Sequence, residues 1–551
     1  MENKAINISK FILGLVLIAI IMDIPHLLFG FDVLSIFSIF FFLCIGAAVF
    51  SWNLRIYKFL LLFICLLVPI ESLSYFWGNI ELGITLWNIL LTTNYKEVIE
   101  QLLRKELIWV LLSLIILGIG VIAINRNLLA AKLSVLQRSV FGCVGIVGVV
   151  ICSIVLANAK YRGSVNLGFK NLHPLQYVSS LAYCQKRRMR VSSFEKERNA
   201  YSFGMVQLER AILDTNIVVL VIGETIRYDH LSLNGYYRKT TPYLDNQTNL
   251  YSFDDVSAPA GGTIYSIPLV MTGCAPYQYE EHYRYKGIID AFREGHYYTA
   301  YLTNQEEQKD DSFKDEYHYQ SVDTFVNTSL GNTNRNFLQA YYDTDVIKPL
   351  SGIIGNYKHK NLFVVIHLMG AHWAYDKRYP PEYDVFKAGD NPRYKNKYGY
   401  DHAIAQYDNA ILYEDYVFEQ IIQLLKKRNG NASLLYLSDH GENLKDDERQ
   451  LVDHSPQPNK YLLHIPYFIW LNNQMNDKLP NIELLKKHKK VPLLSSEATL
   501  FTLMDLAGLQ TTALQRDQQR SSILSPYLDE SEQPVFAPFF QKLRYPDLLK
   551  N

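Results

Sequence analysis

Five apolar runs fill the first 158 residues, and each is long enough to cross a bilayer. They occupy residues 11–31, 33–50, 59–77, 107–124 and 139–157. With no water in the hydrocarbon layer to satisfy backbone groups, each such run must be a helix. The first run is too long, and the later ones too numerous, for a cleaved signal peptide. Lys4 and Lys10 precede the first run, Arg55 and Lys58 separate the second from the third, and Arg126, Lys132 and Arg138 separate the fourth from the fifth. All three basic groups share one side if the N-terminus is cytoplasmic, which is the orientation basic loops select. Five crossings then carry everything after Ala157 to the outer side.

Two carboxylates, Asp23 and Glu71, fall in the outer halves of spans, where they are either functional groups or hydrated residues at the interface. The outer loop 78–106 is apolar for a loop and reads as interfacial segments followed by an amphipathic helix near residues 95–107. Residues 159–212 form a bridge containing a helix from Pro174 to about Lys186, with the basic cluster 186–190 as a solvated face or headgroup contact. Residues 213–551 have the composition of a globular domain. The whole chain balances 54 basic against 54 acidic residues, so nothing favours a nucleic-acid partner. Four of the six cysteines lie in the spans; Cys184 and Cys274 face outward, and whether they pair is left open by the sequence.

The exported part alternates strands and helices, the pattern of a largely parallel sheet covered on both faces. Strands are expected at 217–222, 298–302, 362–366, 433–437 and 467–470, and a long helix at 407–427. Three of these strands end in metal-ligand chemistry. The first runs through NIVVLVI into Glu224; the third leads into His367 and His372 of HLMGAH; the fourth leads into Asp439 and His440 of SDHGEN, and His454 follows on a loop. Carboxylates and imidazoles gathered at the carboxyl edge of a sheet suit zinc or manganese. In APAGGTIYSIPLV, Thr263 falls at the start of a helix, where the backbone N–H groups favour a phosphate. Its hydroxyl reads either as a nucleophile activated by a cation or as an ordinary helix N-cap.

These pieces together resemble the membrane-bound phosphoethanolamine transferases of the alkaline phosphatase/sulfatase superfamily. The resemblance rests on GETIRYDHLSLNGYYRKTTP from Gly223, GGTIYSIP from Gly261, YLTNQ from Tyr301, HLMGAH, YDNAILYEDYV from Tyr407 and SDHGEN. It implies a five-helix membrane domain (1–158), a bridging segment (159–212) and a periplasmic sulfatase-like α/β catalytic domain (213–551), in a multi-pass inner-membrane protein acting as a monomer. By the same resemblance Glu224, Thr263, Asp439 and His440 hold one zinc ion, with a second ion open and manganese the lesser choice. Thr263 is then the nucleophile. His372 and His454 line the phosphoryl site or a second metal, and Thr93, Glu97 and Asn304 face the substrate. The implied reaction moves phosphoethanolamine from phosphatidylethanolamine to a sugar of lipid A or the lipopolysaccharide core. The competing readings are a glycerol-phosphate polymerase like lipoteichoic acid synthase and a non-enzymatic envelope-binding module; a sulfatase nucleophile segment is not matched, because Cys274-Ala-Pro-Tyr lacks the arginine.

Overall fold

The computed structural model describes residues 2–22, 33–50, 133–160, 175–209, 215–305, 319, 321–328, 342–357, 361–390, 395–449, 451, 458–537 and 540–549. The apolar runs at 59–77 and 107–124, Asp23, Glu71, the loop carrying Thr93 and Glu97, and His454 lie outside the described residues. The chain divides into two compact units, Met1–Arg190 with Lys309–Asp315, and Val191–Gln308 with Glu316–Asn551.

In the first unit, helices α1 (Glu2–Met22), α2 (Val33–Phe50) and α3 (Val135–Lys160) take up all or part of three of the five runs. Among the described residues, Val135–Val155 is long and apolar enough to cross a membrane, and Ile8–Ile20 and Ile36–Val49 are shorter apolar helical stretches. Helices α2 and α3 approach closely because Gly148 has no side chain: a Cβ there would fall 2.2 Å from the Phe41 ring. Helix α4 (Leu175–Ala200) is far longer than the sequence suggests. Residues 187–200 contain neither Gly nor Pro and are rich in Arg, Lys and Glu, so nothing stops the helix before Ala200.

The second unit is built on a seven-stranded sheet. In chain order its strands are β1 (Asn216–Gly223), β2 (Leu250–Ser252), β3 (Tyr298–Thr303), β4 (Thr324–Asn327), β5 (Leu362–His367), β6 (Asn431–Ser438) and β7 (Tyr467–Leu471), arranged β2-β7-β6-β1-β5-β3-β4. All five expected strands are present. β1 pairs in parallel with β5 and β6, whereas β7 runs antiparallel to both its neighbours, making the sheet mixed. The cause lies in the connection: between Ser438 and Tyr467 the only described helix is Lys460–Leu463, too short for the crossover that a parallel return requires.

Every residue of β1 is buried. Val218, Leu220 and Ile222 enter one core with Ile267, Val270 and Phe501, from helices α5 (Thr263–Thr272) and α7 (Ser495–Ala507); Ile217, Val219 and Val221 enter the other with Ile411, Val417 and Ile421 of α6 (Asp401–Lys426). A strand apolar on both faces thus fixes the layer order helix, sheet, helix. Its register also sets the site. Ile222 lies opposite His367 on one side and Leu437 on the other, Gly223 lies opposite Ser438, and Thr303 lies opposite His367. Four strands therefore end at one level, delivering Glu224, Asn304, His367 and Asp439 to a single edge.

Candidate metal centre and nucleophile

At the end of β1 the chain turns sharply through Thr225, which adopts φ +60° although its side chain is β-branched. That conformation is costly for Thr and is held from several directions. Its N–H donates to Asp439 Oδ1 at 3.3 Å, its carbonyl accepts from the Tyr407 hydroxyl at 2.7 Å, and its own hydroxyl donates to the Glu224 carbonyl at 2.7 Å. Tyr407 belongs to the YDN segment of α6, and its oxygen also accepts the Arg227 N–H at 3.0 Å. The next residue, Asp408, is buried and pairs with His230 at 2.7 Å and Arg238 at 2.7 Å. His230 is therefore a structural residue, as is Asp229, which pairs with the buried Arg227 at 2.6 Å.

The turn aims Glu224 at Asp439 and His440. All three side chains are buried, and one donor atom from each lies within 4.8 Å of the others. Asp439 Oδ1 accepts the His440 N–H at 2.7 Å, while its buried Oδ2 has no hydrogen-bond partner among the described residues and faces His440 Nε2 at 3.5 Å. His440 Nδ1 bonds to the Gly441 carbonyl at 2.7 Å, which requires its proton on that nitrogen and turns Nε2 toward the carboxylates. Nε2 lies 3.2 Å from Glu224 Oε1. Burial disfavours charge on each group, yet the two carboxylates outweigh it and push His440 up to about 10. Burial and the Glu224 charge raise Asp439, whereas His440 holds Glu224 well below the carboxylate range despite its burial. Concentrated negative charge, an orphaned carboxylate oxygen and a preset imidazole tautomer together fit a divalent cation.

Thr263 is the first residue of α5, and Gly262, in extended conformation, precedes it. Its hydroxyl caps no helix. It lies 2.9 and 3.1 Å from the Glu224 carboxylate oxygens and 3.2 Å from His440 Nε2. One turn on, Ser266 donates to the Asp439 carbonyl at 2.7 Å, so the helix carrying Thr263 is fastened to the loop carrying Asp439 and His440. The four residues read from three separate stretches of sequence thus meet at one point.

His372 is half-buried. Its Nδ1 bonds to the Trp373 carbonyl at 2.7 Å, which places the proton on Nδ1 and leaves Nε2 as the basic nitrogen. Asn304 departs from expectation. It is wholly buried; its amide donates to Asp343 at 3.1 Å and accepts from Thr328 at 3.0 Å, making it a strut behind the site rather than a substrate contact. His454, Thr93 and Glu97 lie outside the described residues.

The partner of Asn304 is a residue that the sequence does not single out. Asp343, buried, accepts N–H bonds from Met369 at 2.8 Å and Gly370 at 2.9 Å. Gly370 has φ +50°, and a Cβ there would lie 2.6 Å from the Glu224 carbonyl oxygen and 2.7 Å from its nitrogen. Ala371 N–H then donates to the Glu224 carbonyl at 3.1 Å. Asp343 thereby locks the HLMGAH turn against the Glu224 backbone. An asparagine in its place would meet the same pair of N–H donors with a single acceptor oxygen. Asp343→Asn is therefore expected to lower kcat/KM by about 10- to 100-fold through misplacement of the site, with the protein still folding cooperatively; paired kinetics and thermal melts check both halves.

His367, at the end of β5, is buried, with Nδ1 3.2 Å from the Tyr301 hydroxyl, and burial drives it down to about 4. Unfolded, it takes up a proton near 6.5. Between those values the unfolded chain binds the extra proton, so stability falls as pH drops across the window, by about 3 kcal/mol in all. Denaturant melts of His367→Gln between pH 4 and 6.5 should show a flatter dependence than wild type.

Comparison with known proteins agrees with this architecture. Residues 216–509, more than half of the chain, match the family described as Sulfatase. The phosphoethanolamine transferase EptC of Escherichia coli strain K12 is 27% identical over 347 residues, covering 58% of this chain and 55% of the relative. The phosphoethanolamine transferase EptA of Salmonella typhimurium is 28% identical over 308 residues, covering 54% of each. The chain spans about half the length of the curated relatives it matches. Among solved structures, the periplasmic domain of E. coli EptC in complex with Zn aligns with TM-score 0.55 and 25% identity, over 62% of this chain and 96% of that one. The integral membrane lipooligosaccharide phosphoethanolamine transferase A of Neisseria meningitidis shares the fold at TM-score 0.60 and 19% identity, over 95% of this chain and 96% of that one.

Proposed function

The chain belongs to the sulfatase family, and from that premise we propose that it transfers phosphoethanolamine from phosphatidylethanolamine to a sugar of a membrane glycolipid, with Thr263 carrying the group between them. The observation that carries this reading is the Thr263 hydroxyl, held within 3.2 Å of Glu224 and His440 at the first turn of a helix. The similarity to the EptA and EptC transferases supports the choice of donor and acceptor.

Glu224, Asp439 and His440, with the Thr263 oxygen, would hold a divalent cation. Zinc is the first choice for two carboxylates and an imidazole, and the zinc complex of the related EptC domain supports it. Such an ion lowers the hydroxyl pKa and offsets charge on the phosphoryl oxygens.

In the first half-reaction Thr263 Oγ1 forms a bond to phosphorus and the bond from phosphorus to the diacylglycerol oxygen breaks; the Thr proton ends on that oxygen. In the second half, an acceptor hydroxyl forms its bond to phosphorus, the Thr263 ester breaks, and the acceptor proton returns to Thr263. No electron is gained or lost. The N–H groups opening α5 stabilise the phosphoryl group throughout. His372, with Nε2 as its basic nitrogen, moves the proton in each half. The apolar helices of the same chain tether this unit to the inner membrane that holds the donor, on its periplasmic side, which raises the donor's effective concentration.

Donor selectivity tests the reading. The full-length protein in detergent micelles should release diacylglycerol from phosphatidylethanolamine and not from phosphatidylglycerol, and a chelator should stop the release. Equal release from both lipids, or release indifferent to chelation, contradicts it.

A further inference from the structure

A cavity of about 460 Å³ opens between the loop that follows His372 and the early turns of α6. Its size suits a small-molecule ligand. Tyr379 and Phe386 line it with aromatic rings, and Lys377, Lys387, Asp384 and His402 add charged and polar groups to the lining.

Two connections tie this cavity to the candidate site. Arg378, between Lys377 and Tyr379, is buried and donates from Nε to the His372 carbonyl at 3.1 Å, so the cavity wall and His372 form one braced turn. Asp376 is only four positions on from His372, a reach of at most about 14 Å. On the opposite wall, Gln406 immediately precedes Tyr407, whose hydroxyl holds the Thr225 turn.

The chemistry of the lining selects among ligands. Lys377 lies 2.8 Å from Asp376, and Lys387 pairs with Asp384, so the lining is balanced in charge and offers donors and acceptors side by side. A phosphate group on its own calls for uncompensated cations, and an acyl chain calls for unbroken apolar walls. A polyhydroxylated ring answers to neighbouring donors and acceptors at its edge and an aromatic surface under its C–H face. We propose that this cavity is the carbohydrate subsite for the acceptor, holding the sugar part of the glycolipid so that its hydroxyl reaches the phosphoryl group on Thr263. The proposal rests on the transferase reading above.

The double variant Lys377→Ala/Lys387→Ala and the single variant His402→Ala change exposed side chains, so folding is retained. Two rates are followed in the full-length protein: diacylglycerol release from phosphatidylethanolamine without acceptor, and transfer to purified lipopolysaccharide across its concentration. The variants should release diacylglycerol within about twofold of wild type, while the lipopolysaccharide concentration giving half-maximal transfer rises by roughly tenfold or more. An unchanged acceptor dependence, or equal losses in both rates, overturns the subsite. A wild type that releases no diacylglycerol defeats the transferase reading instead. Calorimetric titration with delipidated core oligosaccharide then judges the cavity by itself: binding weakened in the double variant supports it, and equal binding or none overturns it.

Discussion

The Thr263→Ala variant is expected to release diacylglycerol at least about 10³-fold more slowly than wild type, with the fold intact. Nothing else in the cluster can replace the lost group. Glu224 and Asp439 are buried carboxylates assigned to the cation, and the Ser266 hydroxyl is engaged in donating to the Asp439 carbonyl at 2.7 Å. The change should alter stability by no more than about 2 kcal/mol, because Thr263 is only half-buried and Ala is a good helix former at the start of α5. Thr263→Ser restores a hydroxyl and should recover part of the rate. A threonine that merely shaped the helix would behave differently, since Ala would then cost stability and leave most of the activity.

The second large effect concerns the cation. Glu224→Gln removes one of two charges from a buried cluster and should weaken metal binding by more than about 100-fold, with activity falling alongside. Metal content by mass spectrometry, and titration of the metal-free protein, measure this directly. In the metal-free protein the Glu224 carboxylate pairs with the His440 imidazole, which holds it well below the carboxylate range, so metal-free Glu224→Gln should melt below metal-free wild type, and loaded wild type should melt above both. A variant that keeps its full metal content contradicts the assignment of Glu224.

Much of the scaffold of this site is readable from residues alone. β1, β5 and β6 announce themselves as continuous apolar runs, because a strand covered on both faces needs no polar alternation. Their common level in the sheet then makes Glu224, Asp439 and His440 neighbours, although more than two hundred residues separate the first from the others. The Gly-Gly-Thr start of α5 is equally legible. The edge strands are not: Leu250–Ser252 and Thr324–Asn327 are only partly buried and three or four residues long, too short to carry a periodic signal. The same limit hides Asp343. No motif marks it in the sequence, and its importance comes from two backbone N–H groups belonging to a turn later in the chain. Asn304 fails for the converse reason: its place in a recognisable segment suggests a substrate contact, and only the structure shows its amide turned inward to Asp343 and Thr328.

Intact-mass analysis of the wild-type protein and Thr263→Ala, after brief incubation with phosphatidylethanolamine and no acceptor, tests the central claim most directly. Wild type should gain the mass of one phosphoethanolamine group, localised by fragmentation to Thr263 and lost on addition of lipopolysaccharide, and the variant should gain nothing. Diacylglycerol release by a wild type that never carries the adduct, or the same adduct on the variant, would contradict it.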